Sequence, residues 1–250
     1  MGIFFRRLLR VKNELLDFFF PSECPICGKL IYGNPRPCSR CIKGLFAPRL
    51  PVCINCGRPL GFFKKKGEKC EACKIKPFFR GKVAIPLYYH GCGGFLVRAL
   101  KFKKDMGAGF FLAKTMVRAG RAAGILRRDK KIIIVPVPLH WKKKRKRGFD
   151  QALFLAENIS TETGIKFLPV LKRKRYTIPQ GDPLNMSREQ NVKDAFEVRW
   201  FYRKIIKGKE IILIDDVVTS GATARECRKI LIKRGASKVH LLASCLGYIP

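Results

Sequence analysis

The 250-residue chain has only 18 acidic residues against 53 Lys and Arg. Two of the acids stand side by side in LIDDVVTSGAT (213–223). The aliphatic run at 211–214 predicts a buried strand that delivers Asp215 and Asp216 at its end. Ionised carboxylates only accept hydrogen bonds, so the pair suits a ligand with neighbouring hydroxyls, such as the 2′ and 3′ groups of a ribose. Thr219, Ser220, Gly221, Ala222 and Thr223 then turn into a helix. Its first N–H groups, its hydroxyls and its partial positive charge suit a phosphate. Gly221 lets the backbone come close. Together these parts match a ribose 5-phosphate. A helix cap with two solvated acids would explain one Ser or Thr and not the whole arrangement.

A second chemistry lies upstream. Eight of the 11 cysteines fall in four C-x-x-C pairs: Cys24/Cys27, Cys38/Cys41, Cys53/Cys56 and Cys70/Cys73. Two thiolates three apart on a tight turn hold one face of a tetrahedral zinc, and a second such turn completes it. Prolines at 25, 35, 37, 48, 51 and 59 keep this segment in loops. So short a stretch buries little core, and one or two structural zinc ions would supply the missing folding energy. Consecutive pairing and a crossed arrangement are both open, and iron–sulfur ligation is a minor alternative. All-Cys sites leave no open coordination position, which predicts a structural role. Cys227 and Cys245 lie in apolar patterns and read as buried small hydrophobes; nothing argues for Cys92 as a nucleophile.

The elements that must position these residues follow from the pattern. Composition changes near residue 80, which divides a region 1–80, an N-terminal helix and Cys-rich module, from a domain 81–250. Strands are predicted at 83–89, 131–139, 195–198, 210–217 and 238–246, and helices at 94–102, 110–123, 150–163 and 222–234. Continuous aliphatic strands alternating with helices predict an α/β fold with a mostly parallel sheet covered on both faces. Such sheets bind ligands at the carboxyl ends of their strands. No G-x-x-x-x-G-K-[ST] occurs, and no strand leads into G-x-G-x-x-G, which argues against an ATPase or a dinucleotide enzyme.

The net charge of +35 predicts a surface that attracts polyanions; a Lys-rich solubilising surface is the plainer alternative. No run reaches the ~20 apolar residues that cross a bilayer. The first 20 residues carry charges throughout and read as an amphipathic helix, not a signal peptide. The expected compartment is therefore the reducing cytoplasm, where the cysteines would not form a disulfide framework.

LIDDVVTSGAT resembles the phosphoribosyl pyrophosphate (PRPP) motif of type I phosphoribosyltransferases. VPVPLHWKKKRKRGFDQA (135–152), YTIPQGDPLNMSREQNVKDAF (176–196) and ALKFKKD (99–105) resemble segments of the ComF competence family, to which N-terminal cysteine ribbons also belong. Asp150 stands where that family usually has Asn. The resemblance implies a type I phosphoribosyltransferase-like domain that binds PRPP with Mg²⁺. Asp215 and Asp216 would hold the ribose and 219–223 the 5-phosphate. The basic loop with Lys144, Arg145, Arg147 and Gly148 would hold pyrophosphate, and Arg188 would lie on a loop that closes over the site. His140 near that loop reads as structural. The resemblance also implies a link to natural transformation, with single-stranded DNA and competence-machinery proteins as partners. Three roles remain open: a transferase with an unidentified acceptor, a nucleic-acid-binding module, and a PRPP sensor without turnover.

Overall fold

The computed structural model describes residues 22–31, 37–45, 51–60, 64–65, 67–142, 145, 148–174, 190 and 192–247. The expected N-terminal helix lies outside them. Two small ribbons come first. Strands β1 (Ser22–Glu23) and β2 (Leu30–Ile31) pair antiparallel, and helix α1 (Ser39–Lys43) follows. The second ribbon ends in helix α2 (Glu71–Ile75).

The main sheet is parallel, as the aliphatic strands predict. Its order is β3 (Val83–Ala84), β9 (Lys238–Leu246), β8 (Glu210–Val218), β5 (Ile132–Pro136). The single strand expected at 83–89 is two short ones, because Pro86 cannot donate to the ladder; β4 (Leu87–Tyr88) resumes the pairing with β9. Outside β5, Phe167 makes one parallel bridge to Ile134. Strands β6 (Leu171–Arg173) and β7 (Phe196–Val198) form a separate antiparallel pair.

Helices cover both faces, as the sequence predicts. One face carries helix α4 (Met106–Ala122) and helix α5 (Gln151–Thr163), packed on Ile212, Ile214 and Leu242. The other carries helix α6 (Ala222–Lys233) and the β6–β7 pair, packed on Ile211, Leu213 and Leu241. Helix α4 starts at Met106, earlier than the apolar spacing indicates, because the Asp105 side chain accepts from the Ala108 N–H at 2.9 Å. The helix expected over 94–102 is a short helix α3 (Gly94–Arg98) that widens into a π-turn, Ala99–Lys103. Gly109 is bare because the Phe154 ring of α5 occupies the space its Cβ would need.

The ribbons are not appendages. Cys53, Cys56, Leu60 and Cys73 belong to the same buried cluster as Leu213 and Leu241. Leu45, with Ile26 and Ile42 against it, joins the cluster on the opposite face. Each ribbon therefore closes one side of the sheet near β4, where the Tyr88 hydroxyl donates to the Gly57 carbonyl at 2.7 Å.

At the opposite end of the sheet, Arg127 donates to both oxygens of Glu210 at 2.7 Å, and His240 Nε2 lies 3.0 Å from the same carboxylate. His240 Nδ1 accepts the Lys82 N–H, so the neutral ring carries its proton on Nε2 and donates it to Glu210. The Arg127 bond holds the Glu210 carboxyl below its usual range, and burial pushes the His240 imidazolium down. Both folded-state values lie below the unfolded ones, so their stabilisation is present above about pH 6.5 and is lost as pH falls through the His and then the Glu range. Glu210→Gln is expected to destabilise the protein by on the order of 1–3 kcal/mol at neutral pH. Urea denaturation from about pH 2 to about pH 8 should show that gap closing as pH falls through and below the ordinary Glu range.

Candidate functional site

Strand β8 is the centre of the sheet and is buried on both faces up to Ile214. Its side chains alternate between the two cores through Ile214. The alternation then breaks: Val217 joins the face of Ile212 and Ile214, and Val218 the face of Ile211 and Leu213. The pairing with β9 runs through Asp215↔Ala243, skips Asp216, which stands opposite Ser244, and resumes at Val217↔Cys245. The freed backbone groups are met locally. Asp215 Oδ1 accepts the Asp216 N–H at 2.9 Å, Asp216 Oδ1 accepts the Val217 N–H at 2.7 Å, and the Ser244 hydroxyl donates to the Asp216 carbonyl. The two acids shape the strand end that carries them.

Burial pushes the Asp215 carboxyl well above the usual carboxylate range, and the neighbouring Asp216 charge adds to this, while Lys101 opposes it. Lys101 Nζ lies 3.9 Å from Asp216 Oδ2, and both groups are largely buried. On the other side Asp215 feels the charge of Arg173, whose guanidinium lies over the Phe196 ring at 5.2 Å. Cys227 and Cys245 are buried as expected.

The loop after β8 is tightly held. Gly221 has φ +73, a left-handed conformation that favours glycine. A Cβ there would also sit 3.0 Å from the Phe78 ring. The Thr219 methyl packs where a Cβ of Gly247 would be, and Gly247 N–H donates to the Val218 carbonyl at 2.8 Å. Ala222 N–H reaches Ser220 Oγ at 3.4 Å, with Ala222 buried and Thr223 half-buried in the first turn of α6.

The second loop leaves β5 beside the first. Val137 N–H still bonds the Ile214 carbonyl at 2.8 Å. His140 is 2% exposed and its Nδ1 accepts the Lys142 N–H, a structural placement. Trp141 is exposed, with Lys142 Nζ at 5.6 Å and the Arg145 guanidinium at 5.5 Å from its ring centre. Lys144, Arg147 and Arg188 lie outside the described residues. Gly148 has φ +62, and Lys104 Nζ lies 3.4 Å from where its Cβ would be. Asp150 Oδ1 accepts the Leu153 N–H at 3.2 Å and caps α5; Asn would cap it equally well.

The π-turn and the residue after it thus bring lysines to both loops, Lys101 to the acid pair and Lys104 to Gly148. Neither was singled out from sequence. The ALKFKKD segment was the available signal, but spacing alone gave it no role. Beside the second loop, a cavity of about 480 Å³ is walled by Trp141, Phe167 and Phe201, with Asp150, Glu157 and Arg173 also lining it.

The cysteines form two clusters, Cys24/Cys27/Cys38/Cys41 and Cys53/Cys56/Cys70/Cys73, with all sulfurs of each within 4.8 Å of one another. Consecutive pairing is therefore the arrangement, not the crossed one. The Cys27–Cys38 and Cys56–Cys70 sulfurs are 3.8 and 3.7 Å apart. A tetrahedron with Zn–S bonds of about 2.3 Å has edges of about 3.8 Å, so the donor set fits zinc. Cys24 Sγ accepts the Cys38 N–H and Cys53 Sγ the Cys70 N–H. Burial would raise these two thiols, yet backbone N–H donation holds both at about 7. Metal analysis is expected to return two zinc ions per chain. Cys56→Ser should lower the melting of the whole chain, since Cys56 lies in the sheet's core. Cys27→Ser, at an exposed position, should have the smaller effect in the same calorimetric scan.

Residues 15–74 match the model of the double zinc ribbon domain. The chain is 29% identical to competence protein F of Haemophilus influenzae, over 89% of this chain and 96% of that protein. It is 28% identical to the DNA utilization protein YhgH of Salmonella typhi, over 90% and 97%. It is 27% identical to competence protein ComFC of Streptococcus pneumoniae, over 75% and 77%. The resemblance to the ComF family read from the motifs is borne out over nearly the full length. Among solved structures, the allosteric regulatory enzyme of purine biosynthesis aligns with a TM-score of 0.35 and 23% identity, over 54% of this chain and 25% of that one. Adenine phosphoribosyltransferase from Thermoanaerobacter pseudethanolicus aligns with a TM-score of 0.34 and 13% identity, over 57% and 83%. Among the described residues no helix is long and apolar enough to cross a membrane.

Proposed function

We propose that the chain is a competence-linked, phosphoribosyltransferase-like protein that binds PRPP with Mg²⁺ at the carboxyl ends of β8 and β5. One observation carries this reading. An acid pair, a glycine-bearing loop that opens a helix, and lysines from a third segment meet at adjacent strand ends. In this role Asp215 and Asp216 accept the ribose hydroxyls, and the 219–223 loop donates N–H and hydroxyl groups to the 5-phosphate. Lys144, Arg145, Arg147 and Gly148 would hold the pyrophosphate, and Lys101 and Lys104 would add positive charge at the acid pair and at Gly148. Arg188 belongs to a segment that would close over them. Mg²⁺ would enter with PRPP beside Asp215 and Asp216 and would supply positive charge that favours departure of pyrophosphate. Transfer to an acceptor and sensing without transfer use the same pocket. The relatives named for competence and DNA utilization support the competence link; a cytoplasmic role with competence-machinery partners is part of the same proposal.

The test is calorimetric titration with PRPP and Mg²⁺. Wild type is expected to bind, and Asp215→Asn with Asp216→Asn to bind about 100-fold more weakly, a loss of about 2.7 kcal/mol. Unchanged affinity in the double variant would overturn the reading. Incubation with PRPP and a pool of bases, amines and nucleotides, read by pyrophosphate release, separates transfer from sensing.

A second reading, single-stranded nucleic acid binding, is favoured by aromatics that stand exposed among cations. Trp141 lies under Lys142 and Arg145. Trp200 is 77% exposed and stacks edge-on with Phe201 between Arg199 and Arg203. Such platforms stack bases while the cations meet phosphates. Trp141→Ala with Trp200→Ala is expected to weaken single-strand binding in a gel-shift assay by roughly tenfold or more, at about 1–3 kcal/mol per stacked base. Wild-type affinity should fall steeply with salt; a salt-independent shift would count against this surface.

A further inference from the structure

The second ribbon reaches the 219–223 loop through a continuous set of contacts. Asn55 sits inside the knuckle between Cys53 and Cys56. Its Oδ1 accepts the Phe78 N–H at 2.6 Å and its Nδ2 donates to the Phe79 carbonyl at 3.1 Å. Phe78 and Phe79 are 6% and 1% exposed, so the clasp is built into the core. The Phe78 ring then fills the space beside Gly221, 3.0 Å from where a Cβ would lie. The Phe78 carbonyl and the Ser220 carbonyl both accept from Arg225 Nη1, at 3.0 and 2.8 Å. One guanidinium nitrogen thus ties the chain leaving the ribbon to the loop itself.

We infer that Asn55, Phe78 and Arg225 are positioning residues that carry the geometry of the second Cys₄ cluster into the 219–223 loop. The ligand side of this inference rests on the phosphate reading of that loop; the mechanical side does not. A knuckle at this position could cap only itself, but the partners of Asn55 lie 23 and 24 residues away, and Arg225 bridges 147 residues to Phe78. A ribbon of this size depends on its metal for folding. Loss of zinc from Cys53/Cys56/Cys70/Cys73 would release Asn55, then the Phe78 backbone, then the ring that backs Gly221. Linkage is reciprocal for affinities, so a phosphate ligand held by the loop should tighten zinc binding at this cluster and not at the first.

Asn55→Ala in the zinc-loaded full chain tests this, because Asn55 bonds to the 78–79 backbone and reaches the loop only through Phe78. Zinc content, the backbone amide resonances of Ser220, Gly221 and Ala222, and PRPP affinity are read together. Two zinc ions retained, shifted amides at 220–222 and affinity lowered about tenfold are expected. Retained zinc with unmoved amides would overturn the inference. Should Asn55→Ala lose its metal, Phe78→Leu keeps the backbone clasp and removes only the ring beside Gly221; unmoved amides in that variant overturn it equally. Shifted amides in a protein whose wild type binds no PRPP would leave the strut standing and remove the phosphate reading instead. Equilibrium competition for zinc with a chelator, with and without PRPP, supplies the reciprocal measurement.

Discussion

Two carboxylates at the end of a strand buried on both faces are the constraint to which the surrounding structure answers. A buried acid is costly unless it is neutralised or paired. Asp215 is driven toward its protonated form, and Asp216 is met by Lys101. The acids also repair the local loss of strand pairing by accepting the N–H groups of Asp216 and Val217. The ladder with β9 skips only Asp216 and continues through Val217 and Val218. The cost is tolerated at one place, where the two loops meet.

The same constraint explains the third segment. Strands β5 and β8, which end at the site, contain no lysine. The lysines come from the π-turn, which widens the chain after α3 so that Lys101 and Lys104 reach different loops. Gly148 stays bare under the Lys104 amine. A regular helix over the same residues would set these side chains at different angles, and the turn is therefore part of the site's construction.

The ribbons take a different place from the one their size implies. Modules of this length usually hang on metal alone. Here the cysteines of the second ribbon lie in the core of the sheet domain, and its Asn55 holds the chain that backs Gly221. Metal chemistry and the loop share one set of contacts, so the ribbon bears on the loop as well as covering the sheet.

Local chemistry was legible without the fold. The alternation of aliphatic runs with helical spacing specified the parallel sheet covered on both faces, and four C-x-x-C pairs specified the zinc ligands. Asp215, Asp216 and the 219–223 loop were marked out by residue type and adjacency. Tertiary structure decided the rest: that cysteine pairs join consecutively, that the side-chain alternation breaks at Asp216 opposite Ser244, and that Lys101, Lys104, Asn55, Phe78 and Arg225 gather around one loop. The physical reason is separation along the chain. Periodicity and ligand spacing are properties of neighbours, whereas a bond such as Arg225 to Phe78, 147 residues apart, exists only once strand order and packing have placed its two ends together.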